Sequence, residues 1–113
     1  MALEEKTNLP LRPSWFVYMV RCCDGSYYTG ITTDLVRRMA EHNSPGDGAK
    51  YTRPRRPVAL VYCEAAQSRS MAAQREYRIR KMKPLGKTRL IAKYTAEADS
   101  LHQPDERTEH VTL

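Results

Sequence analysis

The sequence contains few cysteines, and their spacing is not that of a disulfide framework or a zinc site. The three cysteines, Cys22, Cys23 and Cys63, are odd in number, and two of them are adjacent. Because they lack paired C-x-x-C spacing, the sequence predicts neither a disulfide framework nor a structural zinc site. Free thiols are typical of a reducing compartment, and we therefore expect a cytoplasmic protein.

Long apolar runs are absent as well. No segment approaches the roughly 20 apolar residues that a membrane-spanning helix needs. No helical pattern places a bulky aromatic face opposite a cationic one, as a helix lying on a membrane surface would. The first six residues carry neither a basic region nor a following apolar stretch, so we expect no signal peptide.

The charge of the chain is unevenly distributed. With 113 residues it is long enough for one domain with a single core, and its formal net charge is +6. Residues 14–94 carry 16 Lys and Arg against 6 Asp and Glu, whereas the two flanks together are acidic. A basic body predicts a polyanion as partner, and we expect nucleic acid, although charge alone permits DNA and RNA equally. Basic charge alone is also common among proteins that bind no polyanion.

Hydrophobic patterning predicts an α+β fold in the order β-β-α-β-α-α. Its sheet has three strands, is mainly antiparallel and is flanked by helices. The expected strands are 15–21, 26–31 and a buried central strand at 59–63, and the expected helices are 34–43, 68–83 and 87–96. A turn at Asp24-Gly25 joins the first two strands. We expect 1–13 to be a flexible lead, 14–94 to be the domain and 95–113 to be a disordered acidic tail.

This order of elements can direct several chemically active side chains to one point. Tyr18 and Tyr28 lie in the paired strands, and Arg38 and His42 lie one turn apart on the first helix. Phenol, guanidinium and imidazole suit phosphodiester chemistry, because the cation neutralises phosphate and the other groups move protons. Gly30 lies inside a strand, where a glycine often marks close approach of another group. Each residue also has a structural interpretation, since paired tyrosines pack in cores and helical arginines face solvent.

Glu76 is an acid in a stripe of small and apolar residues on the second helix. A carboxylate in that position must be paired, protonated or bound to a metal ion. A salt bridge to a nearby arginine is the structural alternative. Further cations form a candidate nucleic-acid surface, for which a solubilising surface is an equally good interpretation. These cations are Lys50, Arg53, Arg55, Arg56, Arg80 and Lys83.

The motifs resemble the GIY-YIG nuclease superfamily over residues 14–93. Phe16-Val17-Tyr18 stands in place of the first tripeptide and Tyr28-Thr29-Gly30 in place of the second. The chain departs from the pattern at Ile31, where many members have a cation, and it has no asparagine after Asn43. Its small size resembles the single-domain bacterial members of the superfamily.

The resemblance implies a role for each site residue. Tyr18 would orient or deprotonate the attacking water, Tyr28 and His42 would assist the proton transfers, and Arg38 would bind the scissile phosphate. Glu76 would hold one Mg²⁺ or Mn²⁺ ion. We expect a metal-dependent endo- or exonuclease that hydrolyses DNA, in repair or processing. The alternatives are a catalytically weak nucleic-acid-binding module and an RNA-directed or ribosome-associated role.

Overall fold

A computed structural model describes the backbone of residues 14–112 and the side chains of residues 14–98. The chain has the α+β class and the β-β-α-β-α-α order that the sequence predicts. Its elements are β1 Trp15–Arg21, β2 Tyr27–Thr32, α1 Leu35–His42, a 3₁₀ turn Arg53–Arg55, β3 Ala59–Ala66, α2 Arg69–Lys81 and α3 Pro84–Thr112. One compact unit ends at Lys81 and contains the sheet, α1 and α2, and a second begins at Met82 and contains α3. The flexible lead predicted for 1–13 lies outside the described residues.

Strand β1 lies at the centre of the sheet. The strand order is β2-β1-β3, and both neighbours run antiparallel to β1. Residues 17–20 are all buried, because β1 is paired on both edges and covered on both faces. The prediction of a central third strand was wrong, since β3 is an edge strand on which Ala59 and Leu60 are exposed. A short apolar run has the same composition at the edge and at the centre of a sheet, so composition does not locate it.

The hairpin turn sets the register that brings Tyr18 opposite Gly30. Asp24 Oδ1 accepts hydrogen bonds from the backbone N–H and the hydroxyl of Ser26, at 3.0 and 2.6 Å. Gly25 has a φ of +88°, which residues with a side chain rarely adopt. The Asp-Gly turn therefore forms where the sequence predicts it and aligns the two strands that carry the tyrosines.

The two helices of the first unit pack against opposite faces of the sheet. Residues of α1 contact a buried cluster that includes Tyr18 and Val20. Val17 belongs to the other face, because side chains alternate along a strand. Glu64 of β3 is the partner of Val17, and it accepts a hydrogen bond at 2.8 Å from Arg75 of α2. Alternate residues of β1 therefore meet α1 on one face and α2 on the other.

The junction between α2 and α3 differs from the predicted one. Ser68 caps α2, since its Oγ accepts a hydrogen bond from the backbone N–H of Met71 at 3.1 Å. However, α2 ends at Lys81, two residues before the predicted end at Lys83. Pro84 is the first residue of α3. A proline fits there because the N–H that it lacks would have no helical partner.

Helix α3 continues to Thr112, whereas the sequence predicts an end near Ala96. The alanine, glutamate, leucine and glutamine residues of this stretch favour helix even where apolar periodicity is lost. Helical backbone therefore extends through most of the segment in which we predict a disordered tail. No helix in the described part of the chain is both long and apolar enough to cross a membrane.

Candidate active site

A chain of hydrogen bonds leads from Tyr18 into the protein interior. Tyr18 Oη lies 2.8 Å from His42 Nε2, and His42 Nδ1 lies 2.9 Å from Thr52 Oγ1. Thr52 donates in turn to the carbonyl oxygen of Ala49 at 3.0 Å. His42 and Thr52 are 0% exposed, and Tyr18 is 1% exposed. Strand β1, the last turn of α1 and the following loop therefore meet in one buried polar network.

The direction of the hydrogen bonds follows from the single hydroxyl proton of Thr52. Because Thr52 donates that proton to Ala49, its Oγ1 must accept from His42 Nδ1. We therefore assign the Nδ1–H tautomer to His42. In this tautomer Nε2 is an acceptor, and the Tyr18 hydroxyl donates to it.

Burial keeps both partners of this hydrogen bond neutral at pH 7. Burial, together with the nearby Arg38 charge and against the effect of Glu41, lowers the pKa of His42 to about 4. Burial likewise raises the pKa of Tyr18 to about 12, against the hydrogen bond from Arg38, which lowers it. The site thus holds a neutral phenol against a neutral imidazole in the absence of substrate.

Arg38 contacts the same phenol from a more exposed position. Its Nε donates to Tyr18 Oη at 3.4 Å, and its Nη1 donates to Glu41 Oε1 at 2.8 Å. The Arg38 side chain is 28% exposed. Burial alone would lower the pKa of Arg38, but its hydrogen bonds with Glu41 and Tyr18 raise it. A permanent positive charge therefore lies beside Tyr18 and within reach of solvent.

Gly30 is required by the position of the Tyr18 ring. The two residues are opposite each other in the β1–β2 pair. A Cβ at position 30 would lie 2.5 Å from Tyr18 Oη and 2.7 Å from its Cζ. The phenol thus occupies the space that any side chain at this position would take. This close approach is the physical reason for a glycine after the second tyrosine.

Gly48 has a similar role on the other side of the network. Its φ is +84°, and a Cβ there would lie 2.8 Å from His42 Cα and 3.1 Å from the Glu41 carbonyl oxygen. Both the backbone conformation and the close contact require glycine. The loop after α1 can therefore pack directly against His42, which excludes water from the imidazole.

Tyr28 borders this network through ring contacts. Its ring centroid lies 5.5 Å from that of His42 and 6.4 Å from that of Tyr18. Tyr51 stacks on Tyr28 at 6.1 Å with an interplanar angle of 18°. The Arg55 guanidinium lies 3.9 Å from the centroid of the Tyr51 ring. The loop thus adds an aromatic ring and a cation next to the second motif tyrosine.

Glu76 of α2 is electrostatically coupled to Tyr18. Its charge is among the causes that raise the pKa of Tyr18. The carboxylate is 23% exposed, and Oε2 lies 4.0 Å from Nη1 of Arg80. That distance is at the limit of an ion pair, so the predicted alternative of a salt bridge is present only as a weak contact. The Glu76 side chain is therefore partly exposed and only weakly paired.

The cations of the predicted nucleic-acid surface divide into two groups. Arg55 donates to Asp24 Oδ2 at 3.0 Å and to the carbonyl oxygen of Tyr51 at 2.7 Å. Arg56 donates to the carbonyl oxygen of Ser44 at 2.6 Å. These two arginines hold the loop in place. The other four cations are exposed; they are Lys50, Arg53, Arg80 and Lys83. Of these four, Lys83 belongs to the second unit.

The catalytic-domain model of the GIY-YIG family matches residues 14–89, which contain every member of the Tyr18 network and Glu76. The chain belongs to the GIY-YIG family. This family is a nuclease superfamily. The GIY-YIG match also covers both glycines that contact the network, Gly30 and Gly48.

Two UPF0213 proteins and one solved structure are similar to this chain. A UPF0213 protein of Desulfotalea psychrophila is 56% identical over 80 residues, which cover 71% of this chain and 73% of the relative. Another from Halobacterium salinarum is 59% identical over 66 residues, which cover 58% of this chain and 84% of the relative. The solution NMR structure of a protein from E. faecalis has a TM-score of 0.51 at 37% identity, covering 75% of this chain and 90% of that one.

Two residues of the site have no clear signal in the sequence. Thr52 lies in a loop rich in glycine, proline and cations, and nothing in its spacing relates it to His42. Gly48 is one of several turn-forming residues in the same loop. The only local indication is that a loop with two glycines at 46 and 48 can fold back on the preceding helix.

Proposed function

We propose that this GIY-YIG protein is a metal-dependent nuclease that hydrolyses phosphodiester bonds in DNA. The observation that carries the proposal is the environment of Tyr18 Oη. This atom hydrogen-bonds to His42 at 2.8 Å and to Arg38 at 3.4 Å, and it is coupled to the carboxylate of Glu76. A proton acceptor and a cation for phosphate therefore contact one phenol, and an acidic oxygen ligand lies close enough to contribute to its raised pKa.

In this proposal Tyr18 transfers a proton from the attacking water to His42. The water donates to Tyr18 Oη while Tyr18 donates its own proton to His42 Nε2. The phenol is neutral before and after the step, in agreement with its raised pKa of about 12. The resulting hydroxide attacks phosphorus, the bond to the leaving oxygen breaks, and the leaving oxygen takes up a proton from solvent. Thr52 keeps the imidazole in the tautomer that this transfer needs.

Arg38 binds the scissile phosphate in the same scheme. Its charge is permanent, and its side chain is accessible enough to meet a substrate oxygen. Charge-assisted hydrogen bonds of this kind strengthen as negative charge develops on the phosphate. Glu41 holds the guanidinium through Nη1, which restricts the positions that Arg38 can adopt before substrate binds.

The family implies a divalent cation, and Glu76 fits as its protein ligand. The carboxylate is accessible and only weakly paired. Among the residues that the structure describes, no group of three or more His, Cys, Asp or Glu could hold a metal ion. Water and substrate phosphate would complete the coordination. Mg²⁺ commonly binds proteins through one or two carboxylates with water and phosphate as the other ligands, and Mn²⁺ accepts the same oxygen ligands. When bound, one such ion supplies Lewis-acid stabilisation of the phosphate charge.

Exposed cations support a nucleic acid as the substrate class, for which we propose DNA, and such an enzyme would act in repair or processing. Lys50, Arg53 and Arg80 are exposed, and exposed cations contact phosphates without reading sequence. We propose that the activity lies in the cytoplasm, because Cys22 and Cys23 form no disulfide.

A cleavage assay on matched substrates tests the proposal. Supercoiled plasmid, single-stranded DNA, branched DNA and RNA are incubated with the protein in Mg²⁺ or in chelator. We expect cleavage of at least one DNA substrate that requires the metal. Binding without cleavage of any substrate would assign the chain to binding modules, and cleavage of RNA alone would assign it to RNA processing.

A further inference from the structure

A polar cleft lies beside Arg38, and His42 is not among the residues that line it. It has a volume of about 300 Å³, at the lower end of the range for small-ligand sites. Trp15 and Arg69 line one part of the cleft, and Arg37, Arg38 and Glu41 of α1 line another. We call this space the arginine cleft. Because Arg38 belongs to it, a group bound there lies next to the phosphate that Arg38 would hold.

The charge of the arginine cleft is suited to a phosphodiester. Three guanidinium groups face one carboxylate, so the lining has an excess of positive charge. Glu41 Oε1 lies 2.8 Å from Arg38 Nη1, and Glu41 Oε2 lies 3.6 Å from Arg37 Nε. One carboxylate therefore holds two guanidiniums near each other without neutralising both. The Arg37 side chain is 57% exposed and free to reach a second phosphate.

The cleft also offers a stacking surface. Trp15 is half-buried at the start of β1, and the Arg69 guanidinium lies 5.7 Å from the centroid of its ring. Indole and guanidinium planes are the groups on which proteins stack unpaired bases. Arg69 lies two turns before Glu76 on α2, so both residues project from the same side of that helix. The stacking surface thus faces the same region as the proposed metal ligand.

We infer that the arginine cleft binds an unpaired nucleotide adjacent to the scissile phosphate. The base stacks on the Trp15–Arg69 pair, and the next phosphate along the strand contacts Arg37 and Arg69. A base inside a duplex is stacked on its neighbours and cannot make this contact. The preferred substrate therefore has a single-stranded nucleotide beside the cleaved bond. The placement of this nucleotide next to the scissile phosphate rests on the proposed nuclease function.

Trp15 is the only tryptophan of the chain, so its fluorescence reports on this cleft directly. The probe is an oligothymidylate, titrated in chelator into the Tyr18→Phe variant so that cleavage is too slow to interfere. We expect the oligonucleotide to quench Trp15 fluorescence, and a blunt duplex of the same length to quench it much less. Arg37→Ala and Arg69→Ala should each weaken binding about fivefold to tenfold. Each variant should also reduce the slope of the logarithm of the binding constant against the logarithm of the salt concentration. The expected reduction is about 0.7, the value for one lost contact to a single-strand phosphate.

Arg21→Ala is the matched control, because Arg21 is an exposed arginine at the opposite end of β1. It should bind the oligonucleotide within about twofold of the parent protein. Trp15→Phe and Trp15→Ala are measured by the anisotropy of a labelled oligonucleotide, with Phe expected to retain more affinity than Ala. The arginine variants keep the test valid should Trp15→Ala fail to fold.

Failure of the inference is distinguishable from failure of the nuclease proposal. If cleavage is normal but Arg37→Ala and Arg69→Ala bind and cut overhang substrates like wild type, the cleft is not a nucleotide subsite. Unquenched Trp15 at saturating oligonucleotide would have the same meaning. If the wild type cleaves nothing but Trp15 is quenched and the arginine variants bind weakly, the cleft binds a nucleotide and the nuclease function is wrong.

Discussion

The two sides of Tyr18 differ in their access to solvent. On one side His42 and Thr52 are each 0% exposed and form a closed chain of hydrogen bonds that ends at the backbone. On the other side Arg38 and Glu76 are 28% and 23% exposed. The groups that would accept and hold the proton of the phenol are thus desolvated and fixed by the fold. Groups that would meet phosphate and metal remain open to solvent.

Glu76→Gln tests the open side and should have the largest effect. Replacing the carboxylate by an amide removes the charge that would hold a divalent ion while preserving shape. We expect metal-dependent cleavage to fall below detection, with DNA binding unchanged or slightly tighter. The assay is plasmid cleavage in Mg²⁺ beside a binding titration in chelator. Glu97→Gln, an exposed helical glutamate, is the control, and normal cleavage by Glu76→Gln would remove the metal role.

Tyr18→Phe tests the atom at which the two sides meet. Phenylalanine keeps the ring over Gly30 but removes the hydroxyl that links His42 and Arg38. Cleavage should fall by about 10²–10⁴-fold, the range for a general acid or base, with little change in DNA affinity. Single-turnover rates measure the loss, and Tyr27→Phe on β2 is the matched control. A rate within a fewfold of wild type would leave Tyr18 with a packing role only.

The closed side predicts a dependence of stability on pH. His42 has a lowered pKa of about 4 in the folded protein and an ordinary value of 6.5 when unfolded. Between these values the unfolded chain binds the extra proton, so stability is full above pH 6.5 and is lost as pH falls toward 4. The loss attributable to His42 is about 3 kcal/mol.

Chemical denaturation between pH 4 and 8 measures this dependence, with His42→Gln as the comparison. The variant lacks the titrating imidazole, so its stability should change less between pH 5 and 6.5, above the range in which carboxylates titrate. Parallel curves for the two proteins would show that His42 titrates normally and is hydrated.

Thr52→Val should have the smallest of these effects. Valine keeps the shape of threonine but leaves His42 Nδ1–H buried without its acceptor. We expect a loss of about 1–3 kcal/mol in the free energy of unfolding. We also expect kcat to fall while KM is unchanged, because the tautomer is no longer fixed. Thr52→Ser restores the hydroxyl and should restore both quantities; if Ser behaves like Val, Thr52 acts through packing.

The parts of the site that follow from local rules could be predicted from the sequence. The Asp24-Gly25 turn aligns the two strands, and the four-residue spacing of Arg38 and His42 places both on one helix face. These local relations explain why the structure brings Tyr18, Arg38 and His42 together. The fold class and the order of elements follow from periodicity in the same way.

The remaining features depend on contacts between residues distant in sequence. The pairing of β1 with both neighbours makes it central, and no property of the β3 run encodes its place at the edge. Arg55 and Arg56 have the composition of a phosphate-binding loop, yet they bond to Asp24 and Ser44 because the loop folds back. Thr52 contacts His42 for the same reason. These contacts form only when the loop between α1 and β3 folds back on the hairpin and on α1, and local sequence patterns do not describe that folding.

The bond from Arg55 to Asp24 has a consequence for transplanting this site into another protein. It connects the loop that covers His42 to the hairpin turn, which lies at the other end of the motif strands. A graft of the hairpin and α1 alone would carry every motif side chain except Glu76, but its imidazole would be hydrated and would regain ordinary basicity. The smallest portable unit of this chemistry therefore runs through the loop and β3 to Glu76 of α2, and it includes residues that no tripeptide motif contains.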